Sequence, residues 1–188
     1  LSEPELDLLT LTRPRLYDIA QGVREVASLP DPVGEVLRGS RRPNGLHVQE
    51  VRVPLGVVGL VYESRPNSTV DAISLCLKAG NAVVLLGGQH AMASNQAILE
   101  VANRAVGRRG VPEGAIELIG SSDPATLDCF IHLTDYVDLL IPRGSKDLIQ
   151  QVISRATVPT VATGTGNCHT FVERTARLDM AADIAFNA

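Results

Sequence analysis

Apolar residues recur along the first thirty positions with a helical period. Leu16, Ile19, Ala20, Val23, Val26 and Ala27 fall on one face, behind a Thr12 cap and Pro14 in the first turn. A shorter helix is predicted before it, where Ser2 and Glu5 make a capping-box pair ahead of Leu6, Leu8 and Leu9. Leu29-Pro30-Asp31-Pro32 stops the second helix. Asn44-Gly45 is a hairpin signal, and the partly alternating run that follows predicts an antiparallel ribbon or edge strand.

From Gly56 onward the texture changes. Short aliphatic runs at 56–62, 82–86, 115–119, 136–141 and 158–161 predict strands. Helical patterns at 68–78, 91–106, 124–133 and 145–155 separate them. Ser68 and Asp71 form a second capping-box-like pair, and Gly80 stands where a left-handed residue closes a helix. Strand runs that do not alternate are buried on both faces, as in parallel sheets covered by helices. Successive βα units therefore predict an α/β fold built on an open, doubly wound parallel sheet, with N-terminal helices and an edge ribbon. Ligands are expected at the carboxyl ends of its strands.

Composition narrows the function classes. The 188 residues are 45% hydrophobic and 3% aromatic, without Trp, and 17 Lys+Arg against 21 Asp+Glu leave a net charge of −4. That balance excludes a nucleic-acid surface, which needs concentrated cationic charge and stacking platforms. No apolar run is long enough for a bilayer, and the first residues lack a basic, then apolar, leader. Three widely spaced cysteines fit neither a disulfide framework nor a zinc site, and point to a reducing, cytoplasmic setting. Scattered histidines give no support for a metal.

Candidate chemistry lies just after each strand. Glu63-Ser64-Arg65-Pro66-Asn67 places a fixed cation and a neutral amide at the mouth of a helix. Asn67 either donates to a developing oxyanion or merely caps that helix. Gly87-Gly88 lets backbone approach a pyrophosphate or ribose, or serves a tight turn. Gly144-Ser145 opens another helix as a phosphate contact or a simple Ser cap. Gly164-Thr165-Gly166 lacks the third glycine of a dinucleotide fingerprint. Cys76 and Cys129 read as inert core residues, and the adjacent His169 is poorly placed to deprotonate Cys168.

Long stretches of this sequence resemble one enzyme family. They include Val53-Pro54-Leu55-Gly56-Val57-Val58-Gly59, Tyr62-Glu63-Ser64-Arg65-Pro66-Asn67, Leu75-Cys76-Leu77-Lys78-Ala79-Gly80-Asn81, Arg42-Pro43-Asn44-Gly45 and Ile141-Pro142-Arg143-Gly144. All resemble the γ-glutamyl phosphate reductases (glutamate-5-semialdehyde dehydrogenases) of the aldehyde dehydrogenase superfamily. The resemblance implies a Rossmann-like NADP-binding domain at 54–188, preceded by N-terminal helices and ribbon at 1–53. It also implies NADPH-dependent reduction of an acyl phosphate to a semialdehyde in proline biosynthesis, through a cysteine thioester, in an enzyme that is a homo-oligomer when complete. Asn67 matches the oxyanion-holding asparagine. Glu63, Ser64, Arg65, Pro66, Gly87, Gly88, Gly144 and Ser145 match the cofactor side.

The departures from the family also carry expectations. The family's nucleophilic cysteine falls beyond Asn187-Ala188, so the chain is expected to be the cofactor portion, inactive alone. Leu86 and His90 stand where an arginine and an acidic residue are usual, which predicts a weakened hold on NADPH. An alternative reading is a degenerate, non-catalytic binding or scaffolding module.

Overall fold

The computed structural model describes residues 2–63, 66–121, 123–162 and 169–187. Two helices open the chain, α1 (Glu3–Leu9) and α2 (Arg13–Ser28). Thr12 caps α2, its hydroxyl accepting the Arg15 N–H at 3.4 Å, and Leu29 leaves the helix in an extended conformation. The side chain of Glu5, half of the predicted capping box on α1, lies outside the described residues.

The hairpin signal is realised as β1 (Val36–Arg41) and β2 (His47–Val51), paired antiparallel from Arg41↔His47 outward. The Asn44 side chain accepts the Leu46 N–H at 3.1 Å inside the turn. The ribbon is exposed along both strands and forms a sheet of its own, so it is not an edge of the main sheet. Partial alternation gave it no single apolar face to lay against the core.

The main sheet holds β3 (Val57–Tyr62), β4 (Ala82–Gly87), β5 (Ile116–Leu118) and β6 (Leu139–Arg143), all parallel, in the order β5-β4-β3-β6. Leu60, Tyr62, Val83, Leu85 and Ile116 pack on one face, against Ile73 of α3 (Pro66–Lys78) and Ile98 of α4 (Met92–Gly107). Val61, Leu86 and Leu140 pack on the other, against Phe130 of α5 (Pro124–Phe130) and Val152 of α6 (Lys146–Arg155). Both faces are covered, which is the physical reason these strands read as unbroken aliphatic runs. Each fully buried Leu, Ile or Phe contributes about 1.5–3 kcal/mol. A last helix, α7 (Leu178–Asn187), lies beyond the sheet in sequence. No helix of the described residues is long and apolar enough to cross a membrane.

Three expectations need correction. The run at 158–161 is not a strand but an isolated parallel bridge, Leu140↔Thr160, beside β6. Pro159 has no N–H to continue a ladder there. The fourth predicted strand begins at Leu139 rather than 136, because Tyr136 and Val137 both donate to the Leu133 carbonyl in a turn. Cys129 is exposed, not in the core. On α5 the inward face is set by Leu127 and Phe130, and Cys129 lies about 100° or more around the helix from both, turned outward.

Gly80 behaves as predicted. Its N–H donates to Leu77 O and that of Asn81 to Cys76 O, the paired bonds that close a helix with a left-handed residue. The Asn81 side-chain Oδ1 then accepts the N–H groups of Leu55 and Gly56 at 2.6 and 3.0 Å, so the end of α3 fixes the entry to β3.

Candidate active site

The chain moves outward from β3 to β4 and β5, then returns to place β6 on the opposite flank of β3. In open α/β sheets this reversal leaves a crevice at the carboxyl ends of the two diverging strands, where ligands bind. Here those ends are Tyr62 and Arg143, paired in register. The Glu63 N–H continues the ladder to Arg143 O at 3.3 Å.

The side chain of Glu63 crosses this crevice. Its carboxylate accepts the Ser145 N–H at 2.7 Å and the Ser145 hydroxyl at 2.8 Å. The same hydroxyl accepts Leu148 N–H at 3.3 Å, so Ser145 caps α6 as predicted while also binding an anion. A Cβ on Gly144 would stand 2.6 Å from the Glu63 carboxylate, and glycine is what lets the carboxylate approach. The first turn of α6 is therefore already a working carboxylate site. Three predicted residues, Glu63, Gly144 and Ser145, meet at this point.

Ser64 and Arg65 lie outside the described residues. The next residue, Pro66, is buried as the first residue of α3. The helix thus starts two residues before the predicted Ser68–Asp71 capping pair, because proline is preorganised for the first helical position. Ser68 is inside the first turn and buried, not a cap. Asn67 faces outward. It lines a cleft of about 390 Å³ between α3 and the N-terminal helices, together with Asp71 one turn further on.

The inward face of the same turn is held by a buried polar chain. Tyr62 OH and Thr69 Oγ1 are 2.7 Å apart, and Thr69 Oγ1 donates to Asn95 Oδ1 of α4 at 2.9 Å. Burial pushes the Tyr62 hydroxyl above its ordinary pKa, with the Thr69 bond pulling the other way. Asn95 Nδ2 has no hydrogen-bond partner among the described residues and stands against Gly87, where a Cβ would lie 2.5 Å away. Gly87 is thus a point of close packing between β4, Tyr62 and Asn95. Gly88 follows in an extended conformation and leads into a short turn of helix at Gln89–Ala91 that carries His90. Leu86 is buried in the layer beneath α5 and α6.

Composition and spacing did not mark Tyr62, Thr69 or Asn95, and marked Asp71 only as part of a cap. For Asp71 a signal was available, since it lies four residues after Asn67 and must share its helix face. Burial pushes the Asp71 carboxyl up, while the Arg143 charge lowers it. Cys76 lies on α3 and packs against the core beneath it, and burial pushes its thiol up to about 11. Cys129 belongs to the α5 layer on the other face of the sheet, and Cys168 lies outside the described residues. No cluster of potential metal ligands occurs among the described residues.

Comparison with known proteins gives consistent likenesses. The model of the aldehyde dehydrogenase family matches residues 12–188. The γ-glutamyl phosphate reductase of Moorella thermoacetica is 54% identical over 188 residues, covering 100% of this chain and 45% of that protein. The Geobacillus thermodenitrificans protein of the same name is 53% identical with the same coverage. Among solved structures, the γ-glutamyl phosphate reductase of Thermotoga maritima superposes with a TM-score of 0.88 at 41% identity, over 100% of this chain and 45% of that one. The Saccharomyces cerevisiae structure of that name gives 0.77 at 29% identity, over 86% and 41%. The chain spans a little under half the length of the curated relatives it matches.

Proposed function

The chain belongs to the aldehyde dehydrogenase family, and from that premise we propose that it is the cofactor-binding portion of an NADP-dependent γ-glutamyl phosphate reductase acting in proline biosynthesis. The observation that carries this reading is the crevice between β3 and β6. The two strands that flank it lead, after β3, into the first turn of α3 with its outward-facing Asn67 and, after β6, into the anion-binding helix terminus at Ser145. The names of the relatives at 54% and 53% identity support the same substrate class.

The residues fit a dinucleotide. The α6 terminus already accommodates the Glu63 carboxylate through a main-chain N–H and a hydroxyl, the donor set that a phosphate oxygen needs. Gly144 and Ser145 would hold the phosphates once the flexible Glu63 side chain swings off the Ser145 donors, and Glu63, Pro66, Gly87 and Gly88 would line the approach. Ser64 and Arg65 belong to the same proposed surface by sequence position. A bound nicotinamide supplies hydride for reducing the acyl group. On this reading residues 54–188 carry the cofactor, and residues 1–53 supply the wall facing Asn67.

Asn67 has the chemical role. Its side-chain NH₂ donates to the carbonyl oxygen of the acyl phosphate as a thiolate adds and negative charge builds on that oxygen. The same donor holds the oxyanion while phosphate leaves. Pro66 fixes the backbone one residue earlier, and the Tyr62–Thr69–Asn95 chain anchors the turn from beneath. Cys76, half-buried and with its thiol pushed up to about 11, is unsuited to be the nucleophile. We assign that thiol to the part of the relatives' length that this chain does not span.

The test uses the full-length protein carrying this chain. Nicotinamide fluorescence should show saturable NADPH binding, and glutamate-5-semialdehyde should be oxidised only when phosphate and NADP⁺ are present. Absence of both would favour the non-catalytic module instead.

A further inference from the structure

The main-chain N–H and the hydroxyl of Ser145 are both committed to the Glu63 carboxylate, one to each oxygen, at 2.7 and 2.8 Å. Each of these groups carries a single hydrogen, and the hydroxyl oxygen already accepts Leu148 N–H as the helix cap. While this contact stands, Ser145 has no donor left for a second anion. A ligand phosphate and the Glu63 carboxylate therefore exclude each other at this residue.

We propose that Glu63 is a built-in competitor at the α6 terminus, a tethered carboxylate that occupies the Ser145 donors until a ligand phosphate displaces it, and so sets the affinity of that terminus for phosphate-bearing ligands. This role rests on the reading of Gly144 and Ser145 as the phosphate contact. The mutual exclusion stands on the two hydrogen bonds themselves.

The contact is built to be released. The Glu63 backbone is held separately, its N–H donating to Arg143 O at 3.3 Å, so the side chain can leave without moving the strand. Glu63 and Ser145 are both exposed, and a released carboxylate passes into water rather than into the core. Gly144 keeps the approach clear, since a Cβ there would stand 2.6 Å from Glu63 Oε2. The space that the carboxylate oxygen fills is thus free of side chain and passes to a phosphate oxygen after the swing. The strand pair also has another carboxylate brace. At the opposite end of β3 and β6, Asp138 accepts Val57 N–H at 2.7 Å and donates its own N–H to Val57 O at 2.9 Å. Being part of the chain, Glu63 acts at a high effective concentration, and the apparent affinity of a free anion falls by the fraction of protein in which the donors are taken.

The experiment is titration of the full-length protein with NADPH, read by nicotinamide fluorescence, and with inorganic pyrophosphate, read by calorimetry. Glu63→Gln is expected to tighten both by about fivefold or more, because a neutral amide holds the donors less strongly than a carboxylate. Glu63→Asp keeps the charge but is one methylene short of meeting both donors. It should tighten both by about threefold, and it decides alone if Glu63→Gln does not fold. Asp147, in the first turn of α6, carries the same charge without binding the Ser145 donors. Asp147→Asn should therefore change either affinity by less than about twofold. Unchanged or weaker binding after both Glu63 substitutions would overturn the proposal. So would equal tightening by Asp147→Asn, which would make the effect one of general charge. Saturable NADPH binding that is indifferent to Glu63 would sink the competitor and leave the cofactor reading standing. Pyrophosphate binding tightened by Glu63→Gln, in a protein that takes no NADPH, would do the reverse. Binding of neither probe by any variant would overturn both.

Discussion

The carboxylate of Glu63 at the end of β3 holds the N-terminus of α6 through Ser145, a residue 82 positions away, with bonds of 2.7 and 2.8 Å. This contact joins the two strands that flank the crevice. Glu63→Ala removes a charged acceptor from two donors and should cost about 1–2 kcal/mol in urea denaturation.

Gly144→Ala tests the same contact from the other side. The new Cβ would meet the Glu63 carboxylate at 2.6 Å and push the flexible side chain off its donors. Its cost should therefore overlap with that of Glu63→Ala. A double-mutant cycle is expected to show a coupling of about 0.5–1 kcal/mol, and simple additivity would mean the two residues act independently.

The buried polar chain beneath α3 makes a sharper prediction. Thr69 is fully buried and sits between Tyr62 OH and Asn95 Oδ1. Thr69→Val has nearly the same shape but leaves an orphaned hydroxyl and an orphaned carbonyl, for a loss of about 2–3 kcal/mol. Tyr62→Phe deletes only one end and should cost less. Comparable losses for both would show that the two bonds stand or fall together rather than contributing independently.

Cysteine reactivity separates the two described thiols. Cys129 is exposed and should react with a thiol reagent in the native protein, whereas Cys76 should react only on unfolding. The folded thiol of Cys76 titrates near 11 against an ordinary 9.0, so the unfolded chain loses this proton first. Stability contributed at lower pH is then lost as pH rises from about 9 towards 11, and Cys76→Ala should flatten that part of the profile.

Local signals in the sequence were sound where the chemistry is local. The Thr12 cap, the Asn44-Gly45 turn, the Gly80 closure and the Ser145 cap all depend on residues within a few positions, and each is present in the fold. The doubly wound sheet was legible because burial on both faces leaves aliphatic runs without alternation. What escaped depends on partners far apart in the chain. Glu63 reaches Ser145, and Thr69 reaches Asn95 across 26 residues, through contacts that no spacing rule encodes. The start of α3 was misplaced because Ser68 and Asp71 mimic a cap that Pro66 pre-empts. Cys129 was misjudged because an apolar neighbourhood in sequence does not fix which side of a short helix faces in.

The central claim is that Asn67, in the first turn of the helix that follows β3, holds the developing oxyanion. Its side chain is exposed and lines the cleft beside α2, so removing it should leave folding unchanged. In the full-length protein, Asn67→Ala is expected to lower kcat for phosphate-dependent semialdehyde oxidation by about 10²–10³, with an unaltered thermal midpoint and NADPH affinity. An Asn67→Ala protein that turns over at the wild-type rate would contradict the account.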